Sequence, residues 1–113
     1  MERINAWKTY ENKEKKELEQ LNQDYIDFLS VGKTERECVK ETIRQAEQKG
    51  YQPLEEVLKK GEKLKKGDKV YAAYMNKTIA LFQIGEKPLE EGMNILGAHI
   101  DSPRMDVKQN PLY

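Results

Sequence analysis

A histidine and an aspartate lie two residues apart near the end of the sequence. His99 is the only histidine of the 113-residue chain, and Asp101 follows it after one isoleucine. Neutral imidazole is the commonest protein ligand for transition metals, and a metal-bound histidine usually gives its other ring N–H to a carboxylate. Residues two apart in a strand project from the same face. The spacing therefore predicts that His99 is a metal ligand and that Asp101 orients its ring.

Other interpretations of these residues remain open on composition and spacing alone. His99 could instead be a core or edge histidine whose ring is satisfied by a backbone carbonyl. Asp101 could cap a helix or form an Asx turn before Ser102 and Pro103. A serine beside one histidine is not a catalytic triad without further partners, so neither Ser102 nor Arg104 is given a role.

Three predicted strands lead to this pair. Residues 69–75 and 78–84 are rich in β-forming side chains, and a tight turn between them predicts a hairpin. Residues 93–98 form a nearly continuous apolar run, which predicts a third strand that is buried on both faces. This strand would deliver His99 to its end. Residues 105–108 alternate like a short fourth strand.

The first half of the chain predicts two helices. Residues 13–31 carry apolar side chains at steps of three and four. A second helix follows, with a capping box formed by Thr34 and Glu37 and an end at Gly50. So short a connection favours an antiparallel hairpin, in which Cys38 is a small buried hydrophobe. The apolar stripe of the first helix is expected in the core and contains Leu18, Leu21, Tyr25, Phe28 and Leu29.

Together these elements predict an α/β protein, with an N-terminal helical hairpin followed by the strands of a mixed sheet. We divide the chain into a helical hairpin (1–50), a connector (51–68) and a segment with the strands and the metal motif (69–113). The length suits one small domain. The connector begins with a short helical turn and ends in a lysine-rich stretch, which we interpret as solvated rather than as a phosphate-binding surface.

Charge and cysteine content restrict the possible partners. Twenty basic residues balance twenty acidic ones, so net charge gives no support for nucleic-acid binding. Cys38 has no second cysteine with which to form an internal disulfide, which favours a reducing compartment. No signal-like segment follows Met1, and no apolar run is long enough to span a membrane. We therefore expect a cytoplasmic chain that binds neither nucleic acid nor membrane.

The metal motif and several upstream segments resemble one enzyme family. Residues 97–104 read GAHIDSPR and are followed by Asp106, Lys108 and the sequence NPLY. This run resembles the first metal motif of the aspartyl aminopeptidases, which are zinc-dependent exopeptidases. Upstream similarity extends the resemblance over nearly the whole chain and includes Trp7, the segments DYIDFL and KTERE of the helical hairpin, and the GDK turn.

The resemblance implies roles for two residues and a reaction. His99 matches the first zinc ligand, and Asp101 matches the catalytic-site carboxylate that holds this histidine in place. The family implies a two-zinc site, a glutamate general base, and hydrolysis of N-terminal, acidic residues from peptide substrates. It also implies a zinc-exopeptidase-like α/β domain, of which this chain would be an incomplete part, and homo-oligomers in the full-length form.

The sequence also departs from the family pattern. It has a single histidine, and the further ligand motifs do not follow. Because a catalytic zinc needs about three protein ligands, we expect an N-terminal fragment that is inactive alone. The alternative is a non-catalytic interaction module that docks onto another chain or associates with itself.

Overall fold

A computed structural model of the chain describes residues 4–101, 105 and 107–110. It confirms the predicted mixed α/β class, in which a helical hairpin precedes a three-stranded mixed sheet. The elements are a 3₁₀ turn (Ala6–Lys8), α1 (Asn12–Val31), α2 (Glu35–Gln48), β1 (Gln52–Pro53), α3 (Leu54–Lys59), β2 (Lys69–Tyr74), β3 (Thr78–Gln83) and a second 3₁₀ turn (Leu89–Glu91).

Local capping explains where the second helix begins and ends. The backbone N–H of Glu37 donates to Thr34 Oγ1 at 3.3 Å, which satisfies one of the free N–H groups at the start of α2. The Glu37 carboxylate accepts from the Lys33 backbone N–H at 3.1 Å, one residue earlier than in a standard capping box. Gly50 follows the helix with a φ of +84°, which glycine adopts readily.

The turn between α1 and α2 is tightly packed. Gly32 is buried, and a Cβ placed on it would lie 2.7 Å from the Sγ of Cys38. Cys38 itself is buried, as predicted, and its thiol donates to the Gly32 carbonyl oxygen at 3.5 Å. Close approach of the two helices at their connection therefore depends on the missing side chain at position 32.

The apolar stripe of α1 is not in the core, contrary to the prediction. Among the residues described, α1 has no buried side chain, and Leu21 and Tyr25 are 65% and 59% exposed. The periodicity predicted the helix correctly, and α2 is the main element that packs against α1 in the part of the chain that the structure describes. One side of the stripe therefore stays open to solvent.

The core lies where α2 and α3 meet the sheet. β1 pairs in parallel with β2, and β2 pairs antiparallel with β3, with Val70 opposite Phe82. The hairpin turn has positive φ at Met75 and Asn76, as a type I′ turn requires. Helices and strands together bury Val39, Ala46, Val57, Val70 and Tyr71. The region predicted as a connector thus contributes one short strand to the sheet and, through Val57 of α3, one side chain to the core.

The predicted third and fourth strands are wrong for this chain. Residues 93–98 belong to no strand, and Ile95 and Leu96 are almost fully exposed. Residues 105 and 107 are likewise exposed and outside any strand, while Asp106 lies outside the described residues. A strand needs a neighbour for its N–H and C=O groups, and an apolar run needs cover on both faces. No described element supplies either to residues 93–98.

The folded chain exposes a large surface. Its accessible area is 10928 Å², whereas a compact monomer of this mass would expose about 6,400 Å². Its radius of gyration is 19.5 Å, against about 13 Å for a compact domain of this length.

Within the residues described, no helix is long and apolar enough to cross a membrane.

Candidate metal centre

The predicted metal motif lies on an extended segment beyond the sheet. After β3 the chain passes through the second 3₁₀ turn and Gly92, whose φ is +104°. Residues 93–101, which we call the site segment, then run without regular secondary structure. Gly92 is suited to this position because a left-handed φ strains residues that carry a side chain.

The structure brings the two predicted site residues together. The Nδ1 atom of His99 lies 2.9 Å from the main-chain carbonyl oxygen of Asp101 and 3.2 Å from the carboxylate Oδ1 of the same residue. Both side chains are largely open to solvent, at 79% and 74% exposed. The ring is thus accessible, and it faces the aspartate rather than hydrocarbon.

These contacts determine which ring nitrogen can bind a metal. A carbonyl oxygen and an ionised carboxylate can only accept hydrogen bonds. The Nδ1 atom of a neutral His99 ring must therefore carry the hydrogen. The lone pair then belongs to Nε2, which is the form in which imidazole binds zinc.

Among the described residues, His99 is the predicted zinc ligand. His99 fits zinc, since it offers an oriented imidazole nitrogen with a hydrogen-bonded partner behind it. Among the described residues, no group of three or more histidine, cysteine, aspartate or glutamate side chains could hold a metal ion. Ser102, Arg104 and Asp106 lie outside the described residues. The local arrangement can therefore contribute one ligand and its support.

A second polar cluster, which the sequence did not lead us to predict, lies on α2. The Arg44 guanidinium donates to the buried Glu41 carboxylate through Nε at 2.8 Å and Nη2 at 2.5 Å, and the Gln45 amide donates at 2.8 Å. These hydrogen bonds lower the pKa of Glu41 to about 2, and the bond from Arg44 has the largest effect. The i,i+3 spacing of Glu41 and Arg44 was the signal that could have revealed the pair.

A tyrosine joins α2 to the sheet. The hydroxyl of Tyr71 on β2 donates to Glu47 Oε1 on α2 at 2.8 Å. Burial, together with this hydrogen bond and the negative charge of Glu47, raises the pKa of Tyr71 to about 12. Nearby, Lys69 Nζ donates to the Lys49 carbonyl oxygen at 3.2 Å, close to the end of α2. These contacts fix the helical hairpin relative to β2.

The lysine-rich stretch is solvated, as predicted. The Nζ atom of Lys59 lies 3.9 Å from Oε1 of Glu55, and the Nζ atom of Lys66 lies 2.7 Å from Oε1 of Glu86. Both pairs are exposed. Pairs of this kind are neutralised locally and contribute little to stability.

Comparison with known proteins finds similarity to one family of aminopeptidases. The family model described as aminopeptidase I zinc metalloprotease (M18) matches residues 28–112, which include the metal motif. The Probable M18 family aminopeptidase 1 of Clostridium acetobutylicum is 55% identical over 109 residues, and the match covers 96% of this chain and 23% of that protein. The corresponding protein of Thermotoga maritima is 41% identical over 112 residues.

Two solved structures resemble the fold. Aminopeptidase I from Borrelia burgdorferi superposes with a TM-score of 0.79 at 35% identity, covering 92% of this chain and 25% of that one. The M18 aminopeptidase from Thermotoga maritima gives a TM-score of 0.77 at 39% identity, covering 98% of this chain and 23% of that one. The chain thus spans about a quarter of the length of the relatives that it matches.

Proposed function

The chain belongs to the M18 family of zinc metalloproteases, and from this premise we propose that it forms the N-terminal portion of the catalytic domain of a zinc-dependent aminopeptidase. In this proposal residues 1–113 are part of a single catalytic domain, His99 is a zinc ligand, and Asp101 positions it. The enzyme would remove N-terminal residues, acidic ones in particular, from peptides. The support is the family match together with the orientation of His99.

The observation that carries the assignment is the pair of contacts at Nδ1 of His99. They hold the ring so that Nε2 is available as a ligand. When bound, zinc supplies Lewis-acid polarisation of the scissile carbonyl and acidifies a water molecule. We propose a site with two zinc ions, of which this chain provides one histidine. The bridging carboxylate, the second histidine and the general base would come from the part of the protein that the longer relatives contain.

The 113-residue chain by itself should be inactive. One imidazole is about a third of the protein ligand set of a catalytic zinc. His99 is also largely exposed, so competing water weakens any single contact with a metal ion. We further propose that the full-length enzyme is cytoplasmic, since the lone Cys38 suits a reducing compartment. We also propose that it is a homo-oligomer, as the family resemblance implies.

A chimaeric enzyme tests this function. The chain would be joined to the remaining three-quarters of the Clostridium acetobutylicum relative, and zinc content and release of N-terminal Asp or Glu would be measured. We expect His99→Ala to remove bound zinc and activity. Asp101→Ala should lower metal affinity by about 10-fold to 100-fold, as for other groups behind a metal ligand. Asn22→Ala, on the exposed surface of α1, is the control and should change neither. Unchanged zinc content and activity in His99→Ala would refute the assignment.

The exposed apolar surface favours a second candidate, a non-catalytic interaction module. The α1 stripe and the site segment together leave Leu21, Tyr25, Ile95 and Leu96 open to solvent. Surfaces of this kind promote docking onto another chain or self-association. Size-exclusion chromatography combined with thermal melting distinguishes the outcomes. A monomer with a single cooperative melting transition would count against this candidate.

A further inference from the structure

Two oxygen atoms, not one, face the Nδ1 atom of His99. The shorter contact, at 2.9 Å, is to the main-chain carbonyl of Asp101, and the contact to the carboxylate is longer, at 3.2 Å. Both lie within hydrogen-bonding distance, so one N–H is shared between two acceptors. The Asp101 side chain is 74% exposed, so water competes with its carboxylate for the hydrogen bond from Nδ1. The position of the carbonyl oxygen, in contrast, is set by the backbone.

We propose that the main-chain carbonyl oxygen of Asp101 is a second positioning group for His99, which keeps the hydrogen on Nδ1 and presents Nε2 even when the side chain at position 101 cannot accept a hydrogen bond. This inference rests on the proposed function, because it concerns the orientation of the proposed zinc ligand. It adds a backbone group to the aspartate carboxylate that the sequence predicted.

The carbonyl and the carboxylate of Asp101 are redundant acceptors for the hydrogen on Nδ1. A backbone carbonyl is present whatever residue occupies position 101, and it accepts a hydrogen bond without first being deprotonated. Since the two partners are only two residues apart, the contact needs no distant element of the fold. A carboxylate adds negative charge and strengthens the hydrogen bond, but it does not alone determine which nitrogen carries the hydrogen.

The tautomer of His99 can be measured directly in the metal-free chain. Because the protein contains one histidine, its two ring-nitrogen signals in ¹⁵N NMR are unambiguous at a pH where the ring is neutral. Four semisynthetic proteins are needed. They are the wild type, Asp101→Ala, a wild-type chain in which the peptide bond after Asp101 is an ester, and Asp101→Ala with the same ester. The ester leaves the side chain intact and makes the carbonyl a weaker acceptor.

We expect the Nδ1–H form to predominate in the wild type. Loss of one of two acceptors in an exposed site should lower the tautomer ratio by about twofold to threefold, the lower part of the range for a single hydrogen bond. The Nδ1–H form should therefore remain the major form in Asp101→Ala and in the ester chain. Only the doubly altered chain should show the ratio of a short unstructured histidine peptide.

Three results would overturn the proposal. One is a wild-type ring in the Nε2–H form. The second is an Asp101→Ala chain that already shows the peptide ratio. The third is a doubly altered chain that keeps the Nδ1–H form, because another group would then be responsible. None of these measurements involves zinc, so failure here is distinct from failure of the metal-ligand assignment, which the zinc content of the chimaera tests.

Discussion

Replacing Tyr71 by phenylalanine removes a buried-ring hydrogen bond between the helical hairpin and the sheet. The lost contact is the 2.8 Å bond from the Tyr71 hydroxyl to Glu47. A hydrogen bond to a charged group contributes about 1.5–3 kcal/mol, but solvent screening at the exposed Glu47 reduces this to about 1 kcal/mol. Because the ring itself is buried and is retained, no cavity is created. We expect Tyr71→Phe to lower the free energy of unfolding by about 1 kcal/mol, which is about 4–6 °C in melting temperature.

The same substitution should have a characteristic pH dependence. The pKa of Tyr71 is raised from 10 to about 12 in the folded chain, chiefly by burial and then by Glu47. A raised pKa means that the folded state holds its proton more tightly than the unfolded state. The resulting stabilisation is fully present below pH 10 and is lost as the pH rises through 12. The stability difference between wild type and Tyr71→Phe should therefore be constant from pH 7 to 9 and shrink above pH 10.

Urea unfolding followed by circular dichroism measures both effects. Tyr74→Phe is the matched control, because it removes the same hydroxyl from the same strand at a position that is 72% exposed. The control should change the free energy of unfolding by less than about 0.5 kcal/mol. Equal stability of the two variants at pH 7, or a wild-type advantage that persists undiminished at pH 12, would refute the reasoning.

Two further substitutions test the helical hairpin formed by α1 and α2. Arg44→Ala removes the main cause of the low Glu41 pKa, so NMR titration should show this pKa rising from about 2 towards 4.5. The stabilisation from Glu41 is present above pH 4.5 and is lost as the pH falls towards 2. An unchanged Glu41 titration in Arg44→Ala would contradict the pairing of Glu41 with Arg44. Gly32→Ala would place a Cβ 2.7 Å from Cys38 Sγ and should cost about 1–3 kcal/mol in urea unfolding. Gly85→Ala meets no atom within 4 Å and should be nearly neutral, and similar losses in both glycine variants would show that the turn is not tightly packed.

Local signals in the sequence were sufficient for the helices and the hairpin. Thr34 caps α2 by accepting a hydrogen bond from the backbone N–H of Glu37, three residues away. Asn76 in the hairpin turn has a positive φ, which asparagine tolerates better than most residues. Predicted strands 69–75 and 78–84 are confirmed to within one residue by β2 and β3. Interactions within a few residues of each other are encoded by those residues, so these predictions needed no knowledge of the tertiary structure.

Contacts between distant residues could not be predicted in this way. The partners Glu47 and Tyr71 are 24 residues apart, and nothing in either neighbourhood indicates the other. β1 has only two residues, Gln52 and Pro53, too few to show a periodic pattern. For residues 93–98, the apolar composition indicated the environment that such a segment requires, but composition does not provide the neighbouring strands that create it.

The candidate metal centre combines both kinds of information. The contact between His99 and Asp101 spans two residues and forms without help from the sheet. A metal centre, however, requires its ligands to be held to within about 0.5 Å, and such accuracy comes from rigid elements. The site segment has no hydrogen-bonded neighbour among the described residues, and Leu96 is fully exposed. We expect the part of the protein that supplies further ligands to cover residues 93–98 as well. Because covering an apolar segment and binding a metal then occur in one ordered state, each should stabilise the other.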